Sequence, residues 1–145
     1  MNENSTWKLM NEIGKLPTKG QYYISDKGEI YSTHTKRILK PQVCHKGYQY
    51  IEIGRKKFKI HRLVGKYFIP NPNNLPQINH KDCNKLNNCV DNLEWCDNKY
   101  NYEYSIKNGT FSKEFLKYKG NHKLIWKRYY EKKEIAELKD KEPLG

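Results

Sequence analysis

Between Ile78 and Cys96 the chain reads INHKDCNKLNNCVDNLEWC, with one histidine, five asparagines and three cysteines. The middle of this stretch, KDCNKLNNCVD, is too polar and too rich in Asn for regular structure, because Asn and Asp side chains bond nearby backbone and fold the chain back. Its ends behave differently. QIN, just before His80, is short and β-like, and NLEWC sets Leu93 and Trp95 against polar neighbours, the alternation of a half-buried strand. Asp97 then stands where a helix cap is needed, ahead of NKYNYEYSIKNG, which Gly109 can terminate. The stretch is therefore predicted to fold as strand, long loop, strand and helix.

The sequence upstream is punctuated just as clearly. QYYISDKGEIYS gives two short strands, Tyr22 to Ser25 and Glu29 to Ser32, closed by an SDKG turn in which Asp caps its own backbone and Gly accepts positive φ. RILKPQV reads as a third strand interrupted at Pro41, and GYQYIEIGRKKFKIH as a hairpin of Tyr48 to Ile53 and Lys57 to Ile60. HRLVGKYFI, residues 61–69, sets Leu63, Val64, Tyr67 and Phe68 on one helical face able to cover the sheet. Pro70, Pro72 and Pro76 stop that helix. Residues 1–20 read as a loose arm with one docked segment around Trp7 and Ile13. The fold class expected is α+β: a small antiparallel sheet in residues 1–60, a strand-strand-helix unit in 61–109 and a helical tail in 110–145. In the tail, Leu124, Ile125, Tyr129, Ile135 and Leu138 form a loose apolar row, so a docking helix is expected there.

At 145 residues the chain supports one modest core, and no large buried cavity is expected. Its 28 Lys and Arg against 16 Asp and Glu give a net charge of +12, which points to a polyanionic partner. The twelve tyrosines add rings on which bases or sugars can pack. No apolar run is long enough to span a bilayer, so no membrane partner is expected. The first twenty residues lack an apolar signal core, so Cys44, Cys83, Cys89 and Cys96 are expected as reduced thiols in a cytoplasmic compartment.

His80, Cys83, Cys89 and Cys96 lie close enough in sequence to raise the question of zinc. A structural zinc knuckle brings two thiolates from one turn at C-x₂₋₄-C spacing, and no such pair occurs here. Structural zinc is therefore disfavoured, and Cys89 and Cys96 are expected to fill core space.

The ordered string INHKDCNKLNNCVDNLEW followed by Asn101 resembles the HNH nuclease motif, a ββα-metal unit, and most closely that of the small HNH homing endonucleases of phages and introns. HRLVGKYFIPNP resembles the lead-in of those proteins, and Trp7 with YYISDKGEIYS resembles the modular DNA-binding segment that often precedes the motif. The resemblance covers roughly residues 5–109. It implies a metal-dependent endonuclease acting on double-stranded DNA, with His80 as general base and one divalent cation, Mg²⁺ or Mn²⁺, held by the side-chain oxygens of Asn79 and Asn101. It gives Asn92 a geometric part, tying loop to strand and so orienting the histidine. A phage or intron homing role, in the cytoplasm of a bacterium or an infected host, goes with it. A packaging or restriction nuclease and a DNA binder with a decayed catalytic centre are the alternatives.

The chemistry suits these residue types. A neutral imidazole accepts a water proton near physiological pH, and hard oxygen donors suit Mg²⁺ or Mn²⁺ bound together with phosphate oxygens. Arg55, Lys56, Lys57 and Lys59 on the hairpin are candidate phosphate contacts or a ribbon entering a groove; a solvated charged hairpin is the plain alternative. His61 and Arg62 are expected either to touch phosphate near the cut or to cap the short helix. A monomer is expected.

Overall fold

A computed structural model describes Met1, residues 3–11 and residues 19–109. The tail expected to form a docking helix lies outside the described residues, as does Ile13. Residues Met1–Asn101 cluster as one compact unit.

β1 (Trp7–Leu9), β2 (Tyr22–Ser25), β3 (Ile30–Ser32) and β4 (Arg37–Ile38) form an antiparallel sheet in that order. The docked segment of the N-terminal arm is thus β1, paired Trp7 to Ser25 and Leu9 to Tyr23. The SDKG turn between β2 and β3 forms, but its side-chain cap is Ser25 and not the expected Asp26, whose Oδ1 is enclosed without a hydrogen-bond partner. Ser25 Oγ accepts the Glu29 N–H at 3.0 Å, the Gly28 N–H reaches the Ser25 carbonyl at 3.0 Å, and Gly28 has φ +82°. Gly28 is needed for a second reason: a Cβ there would stand 3.0 Å from Asn88 Cβ and 3.1 Å from Ile60 Cγ2.

β5 (Gln42–Val43), β6 (Gln49–Ile53) and β7 (Lys56–Lys59) form a second, three-stranded antiparallel sheet. The sequence predicts one sheet through this half of the chain, and the structure has two. The division falls at Pro41, which has no N–H to give to a ladder. The run read as one interrupted strand therefore separates into β4, which pairs with β3, and β5, which pairs with β6. The β6–β7 connection is a two-residue turn with positive φ at both Gly54 (57°) and Arg55 (65°), the geometry that matches the twist of a tight hairpin.

Helix α1 (Ile60–Phe68) follows without a break and ends before Pro70. β8 (Gln77–His80) and β9 (Leu93–Cys96) make a two-stranded sheet with Asn79 opposite Glu94 and His80 opposite Leu93. Helix α2 (Asn98–Lys107) comes next, capped by Asp97 Oδ1, which accepts the Tyr100 N–H at 2.7 Å. Gly109 has φ +66° and its N–H reaches the Ile106 carbonyl, as expected of a helix terminator.

The apolar core is continuous across the 60/61 division drawn from the motifs. Ile24, Ile30, Ile51 and Ile53 from the first two sheets pack in one cluster with Ile60, Leu63 and Val64 of α1, Ile78 of β8 and Leu93 of β9. Gly65 makes this possible, because a Cβ there would collide with Ile78 Cδ1 and come within 3.1 Å of the Trp95 ring. The absent side chain lets the β8–β9 hairpin lie directly on α1, an arrangement that the Trp95 indole N–H secures by donating to the Ile69 carbonyl at 3.0 Å. Gly65→Ala is expected to lower stability by up to ~2 kcal/mol, since overpacking costs ~1–3 kcal/mol and the better helix propensity of Ala returns about 1. Urea midpoints check this; a more stable variant would show that the hairpin can move away from α1 without cost.

Candidate active site

The loop between β8 and β9 is built from its own asparagines. Asn92 Oδ1 accepts the Asp82 N–H at 3.0 Å, while Asn92 Nδ2 donates to Asp82 Oδ1 at 2.8 Å and to the Asn87 carbonyl at 2.9 Å. Asp82 Oδ2 accepts Asn87 Nδ2, also at 2.8 Å, and Asp82 Oδ1 takes the Asn84 N–H. These donors, led by the Asn87 amide, hold the Asp82 carboxyl below its ordinary range. Cys83 occupies the left-handed region at φ 61°, which its N–H bond to the His80 carbonyl closes into a tight turn. Asn92 thus ties the start of the loop to its end, and the backbone repeats the tie where the Lys81 N–H meets the Asn92 carbonyl at 2.8 Å.

His80 ends β8, 5% exposed, and its Nε2 lies 2.9 Å from Asn88 Oδ1. Asn88 is itself 3% exposed, and its Nδ2 donates to Gln49 Oε1 on β6 at 3.0 Å. With the amide nitrogen committed to Gln49, the oxygen faces the imidazole. Nε2 is then the protonated nitrogen and Nδ1 carries the basic lone pair. Burial pushes the His80 pKa down and Lys85 adds to this, against the Asn88 hydrogen bond and Asp82, which pull it up. The ring is therefore neutral at physiological pH.

Against His80 sit two further rings. His61 lies 5.2 Å away, centroid to centroid, and Tyr48 lies 6.0 Å from His80 and 4.8 Å from His61. Two ammonium groups, of Lys85 and Lys59, stand over the Tyr48 ring at 4.6 and 5.4 Å. His61, read from the sequence as a phosphate contact or a helix cap, is 6% exposed, and its Nδ1 is enclosed without a hydrogen-bond partner. Its pKa is lowered to about 3, first by burial and then by His80, Lys59 and Arg62.

The sign of the resulting acid sensitivity follows directly. In the unfolded chain His61 takes a proton below about pH 6.5, while in the fold it stays neutral down to about 3. Stability is full above the unfolded value and falls as pH drops, by ~1.4 kcal/mol per unit for this one proton. His61→Phe should therefore lose about 2 kcal/mol less than the parent between pH 7 and pH 5. Denaturant midpoints at the two pH values test it, and parallel acid limbs in the two proteins would be the contrary result.

Asn79 precedes His80 and is 5% exposed. Its Nδ2 donates to Glu94 Oε1 across the β8–β9 pair at 2.9 Å, and the Tyr100 hydroxyl donates to the same Oε1 at 3.0 Å. Asn101 follows Tyr100 in the first turn of α2, with its N–H on the Asp97 carbonyl. Among the described residues no group of three or more His, Cys, Asp or Glu side chains is arranged to hold a metal, so a cation here would depend on amide and phosphate oxygens. The buried Cys96 thiol is pushed up to about 12, first by burial and then by Glu94 and Asp97, and stays protonated. The four cysteines are free thiols.

Of the residues expected to meet DNA, Lys57, Lys59 and Arg62 line one open groove of about 940 Å³ together with Lys66, Phe58 and Trp95. Arg62 also secures the fold, donating from Nη1 to the Pro76 carbonyl at 3.0 Å and lying 6.0 Å over the Trp95 ring. Arg55 and Lys56 are exposed at the hairpin turn, outside that groove. Asn88, Glu94, Tyr48 and Lys66 have a place in the elements read from the sequence but no part there in the site. Only His61 had a local signal of its true place, since it precedes Val64 by three residues and Phe68 by seven and so shares the apolar face of α1.

The chain is similar to known proteins in both sequence and fold. Residues 15–54 match the NUMOD4 motif. The chain is 37% identical over 116 residues to an uncharacterised HNH endonuclease of Acanthamoeba polyphaga mimivirus, covering 76% of this chain and 35% of the relative. It is 36% identical over 98 residues to DNA endonuclease I-HmuI of Bacillus phage SP01, covering 65% of this chain and 56% of that protein. A solved structure described as DNA binding and cleavage by the HNH homing endonuclease I-HmuI superposes with a TM-score of 0.62 at 32% identity, over 77% of this chain and 64% of that one. The chain thus spans about a third to just under two thirds of the length of these relatives. Among the described residues no helix is long and apolar enough to cross a membrane. A strand-loop-strand-helix segment with an asparagine-histidine strand end, preceded by a NUMOD4 motif, makes this chain a homologue of the HNH homing endonucleases.

Proposed function

We propose that the chain is a metal-dependent HNH endonuclease that hydrolyses phosphodiester bonds of double-stranded DNA, as a monomer in the cytoplasm of a bacterium or phage-infected cell. The observation that carries this reading is the buried, neutral His80, whose Nε2 is tied to Asn88 and whose strand neighbour is Asn79. His80 Nδ1 takes the proton of a water whose oxygen forms the new bond to phosphorus. The bond from phosphorus to the 3′ oxygen breaks, and that oxygen takes a proton from solvent, leaving 5′-phosphate and 3′-hydroxyl ends. Asn79 fits a ligand role, because its amide nitrogen is committed to Glu94 and its oxygen is left to accept or coordinate. Asn79 and Asn101 would hold one Mg²⁺ or Mn²⁺, which supplies charge stabilisation at the scissile phosphate. Asn92 keeps the loop closed behind the base, and the basic residues of the hairpin and α1, chiefly Lys57, Lys59 and Arg62, grip the phosphates. The reading is tested by incubating the protein with supercoiled plasmid and Mg²⁺ or Mn²⁺, with and without chelator. Open circles that form only with free cation are expected; an intact plasmid at every cation concentration contradicts the reading.

A further inference from the structure

The ligand pair of the proposed cation site is neutral on both sides, since Asn79 and Asn101 offer amide oxygens only. A neutral amide is also ambiguous: rotated by half a turn, Asn79 would present its NH₂ group to the cation. Beside this uncharged ligand pair the structure sets a carboxylate hydrogen-bonded to Asn79 itself, while the neighbouring Asp97 carboxylate is taken up as the cap of α2. Glu94 is the direct cross-strand partner of Asn79, and its Oε1 receives the Asn79 amide nitrogen at 2.9 Å and the Tyr100 hydroxyl at 3.0 Å. Those two donors belong to the two elements that carry the ligands. Asn79 is a ligand itself, on β8, and Tyr100 is the neighbour of the other ligand, on α2. Glu94 is half-buried, and its charge is felt at the next buried group along its strand, where it helps keep the Cys96 thiol protonated.

We infer that Glu94 is a positioning residue of the cation site. It fixes the Asn79 amide with oxygen outward, links the end of β8 to the first turn of α2, and supplies the negative charge that the two amide ligands lack. The inference rests on the cation site proposed above. A carboxylate that accepts from a ligand's other polar atom sets ligand orientation and strength, and losing such a partner commonly costs 10- to 100-fold in metal affinity. Tyr100 serves as the second donor to the same oxygen, so that Glu94 cannot swing away with Asn79 and present the wrong edge.

The test is Mn²⁺ binding by the full chain without DNA, read as loss of the free-ion signal in electron paramagnetic resonance, with melting temperature followed in parallel. Glu94→Gln is expected to weaken Mn²⁺ binding about 10-fold or more, because the charge is lost and the new amide can oppose the Asn79 amide. Tyr100→Phe should have a smaller effect of the same sign. The double variant Asn79→Asp with Glu94→Gln exchanges carboxylate and amide across the strand pair, and should regain affinity to within about threefold of the parent. A purely structural glutamate would lower the melting temperature of Glu94→Gln without this rescue, and that outcome overturns the inference. So does parent-like binding by Glu94→Gln when Asn79→Ala has lost it, which leaves the cation site itself standing. If Asn79→Ala binds Mn²⁺ as the parent does, the cation site and the inference fall together.

Discussion

His80→Ala is expected to slow strand cleavage by about 10²- to 10⁴-fold while DNA binding and its salt dependence stay as in the parent. The two properties separate because they rest on different residues. The proposed base is a buried neutral ring at the end of β8, whereas the residues proposed to attract phosphate, Lys57, Lys59 and Arg62, line a separate open groove along α1 and the hairpin. Millimolar imidazole added to the variant should recover part of the rate by occupying the vacated space, which a variant damaged only in its fold would not do. The parent has a signature of its own. Burial lowers the His80 pKa, and the ring must be unprotonated to work, so the cleavage rate should hold below the ordinary histidine range before it falls with acid. Plasmid nicking across pH, together with filter binding at several salt concentrations, measures all of this. A parent-like nicking rate in His80→Ala would remove the imidazole from the mechanism.

What could be read from the sequence was the part fixed by near neighbours. The SDKG turn, the Asp97 cap and the Gly109 terminator each depend on residues within four positions, and each forms, though Ser25 takes the capping role expected of Asp26. The strand-loop-strand-helix order followed from an asparagine-rich loop between two alternating ends, and β8, β9 and α2 lie where that reading put them. Contacts made across the chain were not legible. Pro41 announced a break, but nothing local assigned its two sides to different sheets. Asn84, Asn87 and Asn88 look alike in the loop, and Asn88 is set apart only by Gln49, 39 residues earlier, and by the ring it faces. Glu94 read as the polar side of a half-buried strand until the register placed Asn79 opposite it. His61 sits in a basic run that invites a surface reading, yet the helix turns it inward onto His80.

Asn88→Leu should reduce cleavage by about 10- to 100-fold without weakening DNA binding, through loss of the one side chain that fixes the His80 tautomer. Leucine fills nearly the same space but leaves the buried His80 Nε2–H, and the half-buried Gln49 Oε1, without their partner, which costs ~1–3 kcal/mol of stability as well. The ring is then free to carry its proton on Nδ1 and to turn its lone pair away from the attacking water. This dependence reaches into the N-terminal sheets. Gln49 on β6 holds the other end of the Asn88 amide, the Asp26 carbonyl accepts the Val90 N–H at 2.8 Å, and Gly28 lets the SDKG turn press against Asn88 Cβ. Residues of the NUMOD4 segment thus help to hold the Asn88 side chain on which His80 rests. Asn88→Asp separates orientation from mere filling of space. A carboxylate accepting from Nε2–H keeps the tautomer but raises the imidazole pKa, so the acid limb of the cleavage profile should move to higher pH while the plateau rate is largely kept. Gln49→Leu should weaken cleavage less than Asn88→Leu, since the imidazole keeps its direct partner. If Asn88→Leu cleaves like the parent and Asn88→Asp leaves the acid limb in place, His80 is oriented by the ring stack of Tyr48 and His61 alone.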